Sequence, residues 1–310
     1  MQCKLAARPS LVITGCNGQI GSELQRYLAP VCRVVALDRV ACDLSRTAAI
    51  REAMRTIRPD IVVNAAGYTN VDKAEIDREL AFAINGAAVG VLAEECIALQ
   101  SLLIHYSTDY VFDGNKQQPY VETDTASPES IYGKSKLAGE EAIARSEVRA
   151  LTLRTGWVAG AHGDNFIKRI LKKSRSQQTL SVVADRFGTP TTAPRIASVT
   201  ADLVRKYFEL EDKRSFPFGL YHLAASGQTD WHTYSVEILT RARARGIALR
   251  VQPEQVIAVS ATEYAGVAPR PRNSCLDARK IQRVFGIKLP EWKIDVHGVL
   301  DEIFQHVRDE

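Results

Sequence analysis

The 310-residue sequence contains no Cys-x-x-Cys pair and no Cys/His cluster with zinc spacing. Its six cysteines are Cys3, Cys16, Cys32, Cys42, Cys96 and Cys275. Most sit in or beside apolar runs, where a thiol behaves as a small hydrophobe, so they read as reduced thiols of a cytoplasmic protein. No run of about 18 apolar residues appears, and no membrane span is expected. Met1 to Pro9 lacks the apolar core of a signal peptide. There is no basic stripe either: 40 Lys and Arg face 36 Asp and Glu for a net charge of +4, and the cations are scattered. That excludes the usual footprint of a nucleic-acid binder, while a mild positive balance suits an anionic small molecule.

What is present is a globular composition, 45% hydrophobic and 25% charged, on a chain long enough for a substantial core. Its first half alternates two kinds of segment. Strand-like runs lie at Leu11–Thr14, Arg33–Leu37, Ile61–Asn64, Leu102–Tyr106 and Ala150–Leu153. Helical spacing appears at Gln19–Leu28, Ala48–Ile57, Leu80–Leu99 and Tyr132–Arg145. Short strands that are apolar on both faces and alternate with helices predict a doubly wound α/β fold of the Rossmann type, with a parallel sheet. The alternation loosens after about Thr155. Helices are expected at Phe166–Lys173, Ile196–Phe208, Trp231–Arg245 and Val296–His306, and strands near Leu180–Val183, Gly219–Leu223 and Val256–Val259. Residues 1–155 are expected to form the dinucleotide-binding domain. Residues 156–310 are expected to form a smaller α+β substrate region, with the chain free to cross back. The segment Asp113 to Ser130 is a candidate lid or substrate loop.

The first strand runs directly into Gly15-Cys16-Asn17-Gly18-Gln19-Ile20-Gly21, which opens a helix. The G-x-x-G-x-x-G spacing allows a tight turn, and the helix N-terminus offers free N–H groups to a pyrophosphate. Asp38 and Arg39 end the second strand. An acid there suits a ribose 2′-hydroxyl and an arginine suits a 2′-phosphate, so NADH and NADPH both remain open. Asp43 and Leu44 follow, placed to flank an adenine.

Tyr132 and Lys136 are four residues apart at a helix start and share one face. An ammonium near the phenol is expected to lower its pKa, giving a general acid for an alkoxide. The fourth strand ends in Ser107-Thr108-Asp109-Tyr110. Its carboxyl end faces the ligand crevice of an open α/β sheet, so a hydroxyl there can reach a substrate carbonyl.

Several segments together resemble the dTDP-4-dehydrorhamnose reductase family. They are Thr14 to Gly21, Asn64-Ala65-Ala66-Gly67-Tyr68-Thr69, Val71-Asp72-Lys73-Ala74-Glu75, Ser107 to Gly114, and Tyr132-Gly133-Lys134-Ser135-Lys136. Asp185 to Thr191 and Arg270-Pro271-Arg272-Asn273-Ser274 belong to the same likeness, which runs from about residue 10 to 305. The resemblance implies an extended short-chain dehydrogenase that reduces the C4 ketone of a dTDP-linked deoxysugar with NADPH or NADH. By the same resemblance Thr108, Tyr132 and Lys136 are the catalytic triad, and Thr108, Asp109 and Trp157 contact the sugar. Gly18, Gln19, Ile20, Asp43, Leu44, Gly67, Tyr68 and Thr69 fall at cofactor contacts. With Gly15, Asn17, Gly21, Asp38, Arg39, Ala66, Tyr132 and Lys136 they complete the expected cofactor set.

Two departures stand out. Arg186 replaces a glutamine common in the family. Some members bind magnesium between subunits through glutamates. Glu23 matches one such position, but Thr192-Ala193-Pro194-Arg195 lacks the acid, so no metal is expected. The expected partner is a nucleotide-sugar substrate, with no nucleic acid and no membrane, and a homodimer is compatible with the resemblance. The rival readings are a 4-ketoreductase for another nucleotide sugar and a non-catalytic cofactor-binding subunit like that of methionine adenosyltransferase.

Overall fold

Short apolar runs from both halves of the chain meet in one six-stranded sheet. The computed structural model describes residues 8–263 and 266–308. Strands β1 (Ser10–Thr14), β2 (Arg33–Leu37), β3 (Ile61–Asn64), β4 (Leu102–Thr108) and β5 (Ala150–Thr155) come from the first half. They alternate with helices α1 (Gln19–Leu28), α2 (Thr47–Ile57), α3 (Ala88–Leu99) and α4 (Ile131–Ala144). The sixth strand, β6 (Gly219–His222), comes from the second half, so the chain crosses back. The order is β2-β1-β3-β4-β5-β6 and every pairing is parallel.

β1, β3, β4 and β5 are buried throughout, which is why they read as continuous apolar runs rather than alternating ones. Alternate side chains serve two cores. Leu11 and Ile13 face one layer with Leu24, Leu28 and Ile196. Val12 and Val62 face the other with Ile50, Met54 and Leu92. After β1 the chain turns outward to β2, then returns past β1 to β3. That reversal opens a crevice at the carboxyl ends of β1 and β3.

The second half supplies α5 (Phe166–Ser176), α6 (Ala193–Glu209), α7 (Trp231–Ala244) and α8 (Trp292–Arg308). α6 covers the large sheet beside α1, through Ile196, Ala197 and Leu203. α5, α7 and α8 enclose a separate core with Leu180 and Val182, whose strand pairs in parallel with Val256–Val259.

Two expectations need correcting. Arg78–Leu99 is one helical run, interrupted by a π turn at Ala83–Ala87. Its mean hydropathy reaches 1.6, long and apolar enough by composition to cross a membrane, although Asn85, Glu94 and Glu95 break any continuous apolar run. The apolarity has a local cause: Val89, Leu92 and Cys96 pack into the sheet. The 113–130 segment is not a lid. Tyr120 N donates to Cys275 O at 2.8 Å, Glu122 accepts from His222 N at 2.8 Å, and Lys116 pairs with Asp124 at 2.5 Å. These contacts pin it to β6 and to the 273–277 segment, and none of its residues lines the crevice.

Candidate active site

The crevice measures about 1700 Å³. A pocket for one drug-sized ligand is typically about 300–1,000 Å³, so there is room here for two extended molecules.

Its cofactor end is built on backbone. Gly15 has φ 71°, and a Cβ there would stand 2.6 Å from Ala66 Cα, so glycine is required. Gly18 caps α1 without any side-chain acceptor, and no acid occupies the first turn. The leading N–H groups of the helix are therefore free for an anion. Only Gly15 O, at 3.3 Å, lies near a Cβ placed on Gly18. The residues present fit a dinucleotide pyrophosphate. Gly21 packs against the Gly15 carbonyl and, like Cys16, does not line the crevice. Asn17, Gln19, Ile20, Ala66, Gly67 and Thr69 do line it, as do Leu44 and Tyr68.

At the outer rim, Asp38 Oδ1 accepts from Val40 N and Ala41 N, both at 2.9 Å. Arg39 lies 4.0 Å from Asp43 and is largely exposed. Backbone and hydroxyl bonds from Ser45 hold the Asp43 carboxyl below its ordinary range.

The floor is built on α4 and the end of β4. Ser130 Oγ caps α4 by accepting from Gly133 N, and Glu75 Oε1 accepts from Ile131 N at 2.8 Å. Tyr132 stands edge-on to Tyr110, 5.7 Å between centroids. Thr108 Oγ1 donates to Asp109 Oδ1 at 3.0 Å and accepts from Tyr110 N at 3.2 Å. Lys136 Nζ donates to the Tyr106 carbonyl at 2.5 Å, with His105 Nε2 at 3.4 Å. Burial dominates the electrostatics. It pushes Tyr132 up to about 12, with the Thr108 hydroxyl pulling the other way. It brings Lys136 down to about 8 and lifts the Asp109 carboxyl to about 6. The expected depression of Tyr132 by the ammonium is therefore absent: Nζ reaches into the sheet, and the cost of baring a phenolate in the buried site wins. Ser107, offered as a second strand-end hydroxyl, instead donates to Glu140, which Arg154 holds at 2.9 and 2.6 Å.

The opposite wall comes from the second half. Trp157, at φ 48°, stacks on Trp231 with centroids 3.4 Å apart, and its Nε1 donates to Ser274 Oγ at 3.1 Å. Arg270 pairs with Asp72 at 2.6 Å, while Arg186 donates to the Arg270 carbonyl at 2.8 Å. Asp109 Oδ2 is buried without a partner beside this wall, an acceptor suited to a ligand hydroxyl. Away from the crevice, Glu23, His162 and Glu302 bring ligand-type atoms within 4.8 Å of one another, the grouping of this kind among the described residues. Arg26 already binds Glu23 at 2.6 Å, and Arg195 grips Asp295 with two bonds of 2.8 Å.

The family described as RmlD substrate binding domain matches residues 9–305. A dTDP-4-dehydrorhamnose reductase from Burkholderia thailandensis is 41% identical over 286 residues, covering 92% of this chain and 96% of that protein. The chain belongs to the dTDP-4-dehydrorhamnose reductase family. The enzyme of that name from Escherichia coli K12 is 40% identical over 95% of this chain and 98% of its own length. Among solved structures, the reductase from Bacillus anthracis in complex with NADP superposes with a TM-score of 0.85 at 29% identity. It covers 96% of this chain and 99% of that one.

Sequence reasoning missed several residues that shape this reductase-family crevice. Asn85, in the π turn, accepts from Tyr68 N at 2.8 Å and donates to Tyr68 O at 3.0 Å and Ser135 Oγ at 2.9 Å. It ties the Tyr68 backbone to α4, and nothing in its local sequence marks it. Asp72 and Glu75 were visible as a motif, but their tasks, gripping Arg270 and capping α4, were not.

Proposed function

We infer that this chain reduces the C4 ketone of a nucleotide-activated deoxysugar, converting dTDP-4-dehydro-L-rhamnose to dTDP-L-rhamnose with NADPH or NADH. The observation that carries the reading is the convergence of Tyr132, Thr108 and Asp109 at the floor of a crevice whose far end is an uncapped glycine-loop helix. NADPH or NADH, when bound, would supply a hydride. The α1 N-terminus would hold its pyrophosphate, and Lys136 would hold the nicotinamide ribose. Tyr132 keeps its proton at neutral pH because burial raises its pKa, so it enters the reaction as an acid. As negative charge grows on the carbonyl oxygen, Tyr132 donates to it, and the Thr108 hydroxyl, turning from Asp109 Oδ1, steadies the same oxygen. The free Oδ2 of Asp109 accepts from a sugar hydroxyl. Trp157 and Trp231 supply a flat apolar wall.

No metal enters this scheme. The buried, unpaired thiols of Cys16, Cys32, Cys42, Cys96 and Cys275 fit a cytoplasmic setting.

The test follows NADPH oxidation against a panel of dTDP- and UDP-linked 4-keto sugars, with and without EDTA. Turnover with the dTDP-4-keto-6-deoxyhexose, unchanged by EDTA, is the expected result. Tight NADPH binding with no sugar reduced would favour the non-catalytic subunit instead.

A further inference from the structure

A line of buried polar side chains runs beneath the crevice, across three strands and into the catalytic helix. The parallel register sets Thr14 of β1 opposite Asn64 of β3, and Asn64 opposite His105 of β4. Thr14 Oγ1 lies 2.7 Å from Asn64 Oδ1, and Asn64 Nδ2 lies 3.0 Å from His105 Nδ1. His105 Nε2 in turn lies 3.4 Å from Lys136 Nζ. His105 is 0% exposed and Asn64 1%, so their donors and acceptors must be matched within the line rather than by water.

Two proton arrangements satisfy it. In one, Asn64 Nδ2 donates to Nδ1, the imidazole carries its proton on Nε2, and that donor faces Nζ. Only an amine has a lone pair to receive it, because an ammonium is donor-only. In the other, the Asn64 amide is turned over, Nδ1–H donates to its oxygen, and bare Nε2 accepts from the ammonium. An imidazolium fits neither, and both burial and the nearby lysine hold His105 far below its ordinary pKa.

We propose that His105 is a positioning residue whose neutral tautomer follows the charge of Lys136. It is Nδ1–H while the lysine is an ammonium and Nε2–H when the lysine is an amine. Passing from amine to ammonium takes up one proton from solvent: Nζ gains one, and the imidazole keeps one, moved from Nε2 to Nδ1. No other covalent bond changes: the Asn64 amide turns over and the Thr14 hydroxyl passes from accepting from Asn64 to donating to it as the lysine returns to the amine. Thr14, at the far end, adjoins the phosphate loop, so the line joins the lysine to the strand that carries the cofactor site.

The titratable groups around Lys136 do not supply this match. Glu140 and Tyr132 lie one turn away on its own helix, and Glu140 is engaged by Arg154 of β5. Glu75 is bonded to the start of α4, and Asp109 and Tyr110 sit on the turn after β4. From β4 itself come only His105 and the Tyr106 carbonyl.

The importance of this line for catalysis rests on the reductase reading; the tautomer change does not. The experiment therefore begins with the unliganded chain. Histidine labelled with ¹⁵N reads each ring nitrogen directly across pH 6 to 10. Since burial places Lys136 near 8, His105 should stay neutral throughout and pass from Nδ1–H to Nε2–H around that pH. A tautomer constant over the range, or an imidazolium signal, overturns the proposal. A second arm uses the pH profile of sugar reduction. The ammonium loses its acceptor in His105→Phe, so the limb where activity falls with rising pH should move down by about one unit, as loss of a bond to a charged form implies. His105→Gln, which can donate or accept, should restore the limb. A limb that stays in place in the Phe variant, or moves as far in Gln as in Phe, counts against it. If neither variant folds, the wild-type spectra decide alone.

Discussion

At the rim of the crevice, Arg39 is 76% exposed, with its nearest carboxylate 4.0 Å away. At the floor, Lys136 and Asp109 are 5% and 2% exposed, and burial shifts both towards their neutral forms. The two regions hold charge on different terms. A rim charge keeps its hydration, costs the fold little, and acts only when a ligand brings a complementary group. A floor charge is held against its own desolvation, and such groups cluster where chemistry is done. Changes at the floor should therefore alter rate and stability together, whereas changes at the rim should alter only ligand preference.

The sharpest break in that contrast would come from Tyr132→Phe. The ring stays packed against Tyr110, and only the acidic proton is lost. Single-turnover reduction of the 4-keto sugar should slow by about 10²–10⁴-fold, the usual worth of general acid catalysis. NADPH affinity, measured by calorimetry, should hardly move. Wild-type rates in this variant would take the acid role away from the floor's tyrosine.

Asp109→Asn probes the same region through stability. The Asp109 carboxyl titrates near 6 in the fold, against 3.8 for an ordinary one. Below about pH 3 folded and unfolded chains are both protonated, and the group imposes no cost. As pH rises from 3 through 6 the unfolded chain releases its proton first, so stability falls. Above 6 the full penalty stands. The asparagine removes that penalty but leaves an amide facing the unpartnered side. A net gain of about 1–2 kcal/mol at pH 7 is expected, giving way to a loss of about 1–2 kcal/mol at pH 3, where the charge penalty is gone and the cost of the amide remains. Urea unfolding at the two pH values checks it, while sugar turnover should fall. A variant less stable than wild type at pH 7 would mean that burial is not what governs this carboxylate.

The rim and the glycine loop were legible in the sequence because each is local. Gly15 to Gly21 sits within one strand, turn and helix, and Asp38 and Arg39 end the next strand. Tyr132, Lys136 and Thr108 were legible for the same reason: a helix face and a strand terminus fix them. The floor's electrostatics were not legible, because where Nζ points depends on Tyr106 and His105, which belong to another strand. The opposite wall of the crevice was harder still. Asp72 meets Arg270 across 198 residues, and Trp157 meets Ser274 across 117. No periodicity records such pairs. The 113–130 segment shows the opposite error: its Gly, Pro and polar residues suggested a lid or substrate loop, yet Tyr120 stacks on Phe112 with centroids 4.1 Å apart and fastens it. The π turn that places Asn85 likewise lies inside what reads as one regular helix.

The smallest expected effect belongs to the rim. The Asp38 carboxylate already accepts two backbone N–H groups through Oδ1, which fixes the turn and leaves its other oxygen for a ribose hydroxyl. Arg39 beside it is extended into solvent and barely committed to Asp43. A 2′-phosphate would gain a charge-assisted bond from this guanidinium, and a 2′-hydroxyl would gain almost nothing. Arg39→Ala should weaken NADPH binding by about tenfold, the low end for a bond to a charged group, with NADH binding and melting temperature nearly unchanged. Calorimetric titration of both cofactors into the variant reads the difference. Equal losses for the two would show that Arg39 shapes the rim itself rather than answering the phosphate. The rim would then share the floor's coupling of charge to structure, and the distinction between the two regions would fail.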